Sequence, residues 1–143
     1  MNVSLPALSC AIPDAWIDQS MALFLMPPPP PDPRSLHNKQ PVSPGNITLT
    51  WSRKGDAASD VLQTRLQALQ KVEGCLVEGA AVVEGDVVYA TVSLPQGTQR
   101  VFQVHAVRRV GDLVVSVVGS ALGATLGDLK KHTLAAASSL ATA

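Results

Sequence analysis

The residues of this chain whose types could do chemistry are three histidines and a pair of aspartates. His37, His105 and His132 have no serine, cysteine or acid at a spacing that would activate a nucleophile. Asp14 and Asp18 are four residues apart in a stretch without a helical pattern, so their carboxylates need not converge on one substrate. We expect them to make turn and backbone hydrogen bonds instead. Because no Gly-rich phosphate-binding motif is present either, the sequence predicts that the protein is not an enzyme.

The two cysteines also lack the spacing of a functional site. Cys10 and Cys75 belong to no Cys-x-x-Cys or Cys/His pattern, so we predict no metal ion, no cofactor and two reduced thiols. Residues 7–10 (ALSC) resemble a lipoprotein cleavage site, but no Lys or Arg precedes them and Pro6 interrupts the apolar stretch. Two alternatives stay open here: an envelope lipoprotein with Cys10 lipidated, and a small enzyme with a cryptic pocket.

Composition limits both the size of the fold and the class of partner. The chain has 143 residues, of which 46% are apolar and 15% charged, and its formal net charge is zero. The basic residues are dispersed, which argues against a nucleic-acid partner. No apolar run reaches the ~18–20 residues that cross a bilayer, so we expect no stable membrane insertion. Low net charge with high apolar content gives little protection against association, which predicts a dimer or a bound client.

The strands that must hold any site carry the clearest pattern. Residues 21–26 (MALFLM) and 113–118 (LVVSVV) have no polar face, which predicts that both faces of each strand meet something dry. One face can meet the protein's own helices, and the other needs a subunit, a client or a covering loop. The strand at 46–53 alternates instead, with Ile47, Leu49 and Trp51 on one face and Thr48, Thr50 and Ser52 on the other.

A first helix is predicted through residues 61–70, with Asp56 or Ser59 as its N-cap and Gly74 as its stop. Its apolar stripe is formed by Leu62, Leu66 and Leu69. Glutamines occupy the opposite side, where they form either a solvated face or a polar contact with a partner helix. These are Gln63, Gln67 and Gln70.

Turn signals at 84–86, 94–97 and 110–112 predict a four-strand antiparallel meander. Its strands are expected at Ala80–Val83, Val87–Leu94, Gln99–Arg108 and Asp112–Val118.

Glycine and proline complete the predicted plan. Residues 119–123 are expected to break the sheet, and Thr125 to cap a last helix that continues to Leu140. The Pro-rich segment 27–45 is predicted to be a loop, either a plain connection between strands or a docking arm. The expected fold class is α+β: an antiparallel sheet of about six strands with the helices packed on one face.

Residues 13–20 (PDAWIDQS) closely resemble the opening of the DcrB-related family, specifically the Eag-type chaperones of bacterial type VI secretion. Later segments resemble the family in the same order: residues 46–53 its second strand, residues 61–74 its helix, and Phe102-Gln103 the Arg-Gln pair of its central strand. The resemblance covers nearly the whole chain. Two departures are the additional Pro-rich loop and Phe102, where arginine is common.

The resemblance implies one domain over residues 1–143, with a Mog1/PsbP-like α/β sandwich that dimerises in the cytoplasm. Proteins of this family bind the N-terminal transmembrane helices of secreted effectors beside a PAAR spike-tip domain. They keep that effector soluble until it is loaded on the secretion spike, which requires no chemistry and no cofactor. This agrees with the apolar strands, because a protein that shelters an apolar helix must offer apolar surface of its own.

The resemblance also implies which residues contact the client. On the strands these are Met21, Leu23, Leu25, Thr48, Thr50, Ser52 and Gln103, with His105 as a further residue lining the groove. Gln63 and Gln67 are added from the helix. The alternate residues of the strands are expected to pack against the protein's own helices: Ala22, Phe24, Ile47, Leu49, Trp51, Phe102 and Val104.

Overall fold

The computed structural model describes residues 21–25, 45–52, 55–122 and 126–141. Six strands pair in the order β1-β2-β6-β5-β4-β3, and every pair is antiparallel. This confirms the predicted α+β class and the predicted meander. The elements are β1 (Met21–Leu25), β2 (Gly45–Ser52), α1 (Ala58–Gln70), β3 (Leu76–Glu84), β4 (Val87–Gln96), β5 (Gln99–Val110), β6 (Leu113–Leu122) and α2 (Leu126–Ser138).

The two helices lie on opposite faces of the sheet. Leu62 and Leu66 of α1 pack in one cluster with Val88, Val107 and Val114. Successive residues of a strand point to opposite faces, so the neighbours of these three valines lie on the other face, where they pack in a second cluster with α2. That cluster includes Val87, Ala106, Val115, Val117, Leu129 and Ala137.

The expectation that both helices cover one face is therefore corrected. The physical reason is visible in β6, whose apolar run needs a dry layer on each side. Val114 lies under α1, whereas Val115 and Val117 lie under α2. The protein's own helices thus provide both partners for this strand, and the sheet is the middle of three layers.

The division of β2 and its neighbours into two faces is as predicted. Ile47, Leu49 and Trp51 pack against the cluster that contains α2. In β1, Ala22 is paired with Leu49, and Phe24 with Ile47, so both lie on that same face. Val104 is buried in the cluster, and Phe102, two residues before it, lies on the same face of β5.

Two element boundaries differ from the predictions because a glycine does not end a strand here. β3 begins at Leu76 rather than near residue 80, and its ladder shifts register between Glu78 and Val82. Gly79, with φ of 75°, lies in this bulge, where its lack of a Cβ permits the left-handed backbone. β6 continues through Gly119 to Leu122 instead of breaking at residues 119–123.

The helix ends also differ from the predictions. Ala57 is the N-cap of α1 and makes no side-chain capping bond, so neither Asp56 nor Ser59 has the predicted role. α2 ends at Ser138, short of Leu140. Arg108 of β5 binds this end, because its Nη1 donates to the carbonyl oxygens of three residues. These are Ala137, Ser138 and Leu140, at 3.1, 2.8 and 2.9 Å.

Several predictions fall outside the described residues. These concern the opening motif at 13–20, Cys10, His37, Thr125 and the Pro-rich loop, of which Gly45 alone is described, as the first residue of β2.

Candidate binding surface

One half of the sheet face that carries α1 is not covered by that helix. α1 packs mainly against β5, β4 and β3, at one side of the sheet. On the other side, β1 and β2 are the two outermost strands, and they present side chains to the same face as α1. The uncovered half is therefore made of β1, β2 and the adjoining parts of β6 and β5.

Three cross-strand rows of side chains run inward from β1 on this face, and we call them the open surface; the inner residues Ser116 and His105 are buried. Within a row, directly opposed residues on adjacent strands have neighbouring side chains on one face. The rows are Met21–Thr50–Ser116, Leu23–Thr48–Val118–His105 and Leu25–Asn46–Ser120–Gln103.

The edge of the open surface is apolar and exposed. Met21, Leu23 and Leu25 are 64%, 58% and 67% exposed. Their neighbours in the strand, Ala22 and Phe24, are half-buried on the other face. Single exposed apolar side chains are normal on a protein surface, but three that follow one another along an edge strand form a patch of the kind that marks an interaction site.

Inward from this edge the open surface is mainly polar, with Val118 as its apolar member. Asn46, Thr48 and Thr50 are half-buried side chains of β2 that place amide and hydroxyl groups beside the apolar edge. Ser120 and Gln103 continue the polar groups onto β6 and β5. The surface therefore combines an apolar rim with small hydrogen-bonding groups, a combination that lets an apolar helix approach closely while its polar groups are satisfied.

His105 is the innermost residue of the central row and is buried, with 4% of its surface exposed. Its Nε2 lies 2.9 Å from Oε1 of Gln103; in this pair the imidazole donates and the amide oxygen accepts. Nδ1 is buried and has no hydrogen-bond partner within the described part of the chain. Burial lowers the pKa of His105 to about 4, and the positive charge of Arg65 adds to the effect.

Arg65 of α1 stands at the boundary between the helix and the open surface. Its Nη2 donates a 3.0 Å hydrogen bond to Oγ of Ser116, the buried end of the first row. Burial lowers the pKa of Arg65 from its usual value. Sequence reasoning missed this residue, although a signal was present: Arg65 has the helical spacing of the apolar stripe, three residues after Leu62 and four before Leu69.

The eight predicted contact residues on strands lie on one face, whereas the two on the helix do not join them. Ser52 is paired with Val114 and so lies on the face of the open surface, close to α1. Gln63 and Gln67 are exposed. At about 100° per residue they lie on the side of α1 opposite Arg65, which reaches β6, and they therefore point away from β1 and β2.

Other candidate sites are separate from the open surface. A shallow cavity of about 400 Å³ at one end of the sheet is lined by Gln99, Arg100, Phe102 and Leu122. Its arginine is bound to the Ser93 hydroxyl and to the carbonyl oxygen of Gly74. In the described ranges no three His, Cys, Asp or Glu side chains are grouped as metal ligands. No helix in those ranges has the length and apolar character of a membrane span.

We expect His105 to make the protein less stable in acid, by roughly 3 kcal/mol between pH 7 and pH 4. In the unfolded chain the imidazole binds a proton near pH 6.5, but in the folded chain it does so only near pH 4. Between these values the unfolded state binds more protons, so acid favours unfolding. Urea unfolding at a series of pH values, with wild type and His105→Gln, measures this contribution.

A matched control is His132→Gln, because His132 is exposed on α2. Compared with this variant, His105→Gln should lose the roughly 3 kcal/mol that the buried imidazole contributes between pH 7 and pH 4. Identical dependence in the wild type and His105→Gln would show that another group is responsible.

Comparison with known proteins finds likeness in structure alone. No protein-family model and no curated protein matches the chain. The chain is similar in structure to PA94 of Pseudomonas aeruginosa, a protein of unknown function described as a candidate regulator. The TM-score is 0.62 at 17% identity, over 92% of this chain and 89% of PA94. This likeness shows the fold alone.

Two further structures are similar over most of their length. LpqN of Mycobacterium tuberculosis, which is involved in cell envelope biogenesis, has a TM-score of 0.46 at 20% identity, covering 79% of this chain and 78% of LpqN. The Ran-binding protein Mog1p of Saccharomyces cerevisiae has a TM-score of 0.48 at 12% identity, covering 87% of this chain and 74% of Mog1p. Scores at this level carry no argument about what the chain binds.

Proposed function

We propose that this protein is a chaperone that shelters an apolar helical segment of a client protein on the open surface. The observation that carries the proposal is the exposed apolar edge of β1, which lies in register with the hydroxyl and amide groups of β2. Apolar surface exposed to water costs ~25 cal/mol per Å² in free energy. Contact of an apolar helix with Met21, Leu23 and Leu25 would remove part of that surface from water.

The polar rows support a helix as the bound segment. Threonine and serine side chains are short, so a helix backbone can come close to β2 and β6, as it does to small residues between helices within membranes. Thr48 and Thr50 also bring hydroxyl groups that can bond to client side chains or to exposed carbonyl oxygens. A purely apolar surface would leave such groups of the client without partners.

We further propose that the client is a type VI secretion effector whose N-terminal transmembrane helices lie beside a PAAR domain. The support is the resemblance of residues 13–20 to the Eag-type chaperones. In this proposal the protein acts in the cytoplasm as a homodimer, without catalysis.

Light scattering of the purified protein measures the oligomeric state. The adjacent reading frame is expected to encode an apolar N-terminal segment followed by a spike-tip domain.

Co-expression tests the proposed activity directly. A soluble carrier protein with an N-terminal apolar segment of about 20 leucine and alanine residues serves as the probe. We expect the tagged chaperone to raise the amount of soluble carrier and to co-purify with it, whereas the carrier without the segment stays unbound. Failure to capture the segment, together with failure to capture the effector of the adjacent reading frame, would reject the proposal.

A further inference from the structure

We propose that Arg65 receives an acidic side chain of the client, so that the open surface prefers an apolar segment with one carboxylate over a wholly apolar segment. This inference rests on the proposed function and specifies a chemical feature of the bound segment. It comes from the charge at the boundary between α1 and the open surface, which the chaperone role by itself does not require.

Arg65 is a half-buried cation whose charge is not balanced within the described ranges. Among the described residues Arg108 pairs with Asp86, on the other face of the sheet, and no carboxylate pairs with Arg65. The hydrogen-bond partner of Arg65 is the neutral hydroxyl of Ser116. Its Nη1 is shielded from solvent and has no acceptor among the described residues. A guanidinium withdrawn from water without an anion is costly, so the site favours the arrival of one.

The position of Ser116 brings this charge to the open surface. Ser116 is paired with Thr50, which is paired with the exposed Met21, so the guanidinium stands at the inner end of the first row. A segment lying along β1 and β2 would pass over Thr50, one strand away from Ser116. The arginine side chain is long, and rotation about its outer bonds can turn both Nη atoms towards such a segment, in the forked geometry that binds a carboxylate through two hydrogen bonds.

His105 makes a carboxylate a better match than a neutral amide. Its imidazole is buried beside Gln103 and is uncharged at neutral pH, so Arg65 supplies the positive charge of this corner. An amide of the client could bond to Arg65 but would leave that charge unbalanced. A carboxylate supplies both the hydrogen-bond acceptors and the opposite charge.

Three carrier probes test the inference, each with the apolar segment described above and a central residue that is Leu, Gln or Glu. The probes compete for the tagged chaperone, and the captured ratio is measured by mass spectrometry. We expect capture of the Glu probe about tenfold above that of the Gln probe, as one charge-assisted hydrogen bond provides. The preference should vanish in Arg65→Gln and persist in Arg109→Gln, which removes an exposed cation of β5.

The outcomes separate the inference from the proposed function. Capture of none of the probes would reject the chaperone role itself. Equal capture of all three probes, unchanged by Arg65→Gln, would overturn the inference about Arg65 but not the chaperone role. Equal capture of the Gln and Glu probes, both above the Leu probe, would do the same. If a preference for Glu emerged only after Asp14→Asn and Asp18→Asn, the chain's own acids would be the partners of Arg65, which also overturns it. Circular dichroism of each variant checks that it is folded.

Discussion

Gly119→Val is expected to prevent the protein from folding into its native three-layer structure. Gly119 lies in the middle of β6, paired with Val104 on one side and Ile47 on the other. A Cβ at this position would collide with the side chain of Thr133 and lie 2.9 Å from Cδ1 of Leu129. Both side chains are fully buried on α2, so the helix would have to move away from the sheet. Overpacking alone costs about 1–3 kcal/mol, and lifting a helix off the core exposes further apolar surface.

Thermal unfolding followed by circular dichroism measures this effect. Gly119→Ala, which adds the Cβ alone, should already lower the midpoint, and Gly119→Val should show no cooperative transition. The matched control is Gly127→Ala in α2, because nothing lies within 4 Å of a Cβ built there. That change should leave the midpoint unchanged or raise it, since alanine is the better helix former by about 1 kcal/mol. A cooperative wild-type-like transition in Gly119→Val would contradict the close packing of α2 on β6.

Gly119 also illustrates which part of the fold the sequence can predict. Alternation along β2 predicts the core face of Ile47, Leu49 and Trp51 because the period of two is a property of the strand alone. The role of Gly119 depends instead on α2, which follows it in the chain and returns across it. A glycine that a helix approaches and a glycine that ends a strand look alike in sequence, so the predicted sheet break at residues 119–123 was wrong.

The placement of the helices follows the same logic. A run with no polar face, as in β6, predicts two dry layers but does not say what provides them. For β6 the providers are the protein's own helices, one on each face. For β1 the same pattern has a different outcome in the described structure, since Met21, Leu23 and Leu25 are exposed. The difference arises because β1 lies at the edge of the sheet, away from α1, and strand order is not a local property.

The candidate surface could be predicted from the sequence only where strands form it. Leu23, Thr48 and His105 share a row because alternation fixes the face of each strand and hydrogen bonding then aligns the strands. On α1 no such alignment is available, because glutamines suggest polar contact without indicating which side of the helix faces β6. Arg65 was the more informative residue, being a cation within the apolar stripe of that helix.

Leu23→Lys is expected to abolish capture of an apolar client segment without unfolding the protein. Leu23 lies in the centre of the exposed edge and in the same row as Thr48 and His105. A segment bound across the middle of the open surface would therefore contact Leu23. Lysine removes apolar area and brings a charge that the contact would have to take out of water. Central residues of an interface carry most of its binding energy, so we expect a loss of at least about a hundredfold in affinity.

The fold should survive because Leu23 is 58% exposed and lies on an edge strand, where lysine is well tolerated. The matched control is Val83→Lys, which places the same charge on an exposed apolar residue of the opposite edge strand, β3. Capture by Val83→Lys should equal that of the wild type. Thr48→Lys, next to Leu23 on β2, tests the polar row independently and should also lose the client. Because the lysine at residue 48 would lie between the apolar edge and His105, retained capture by both Leu23→Lys and Thr48→Lys would exclude the open surface as the place where the client binds.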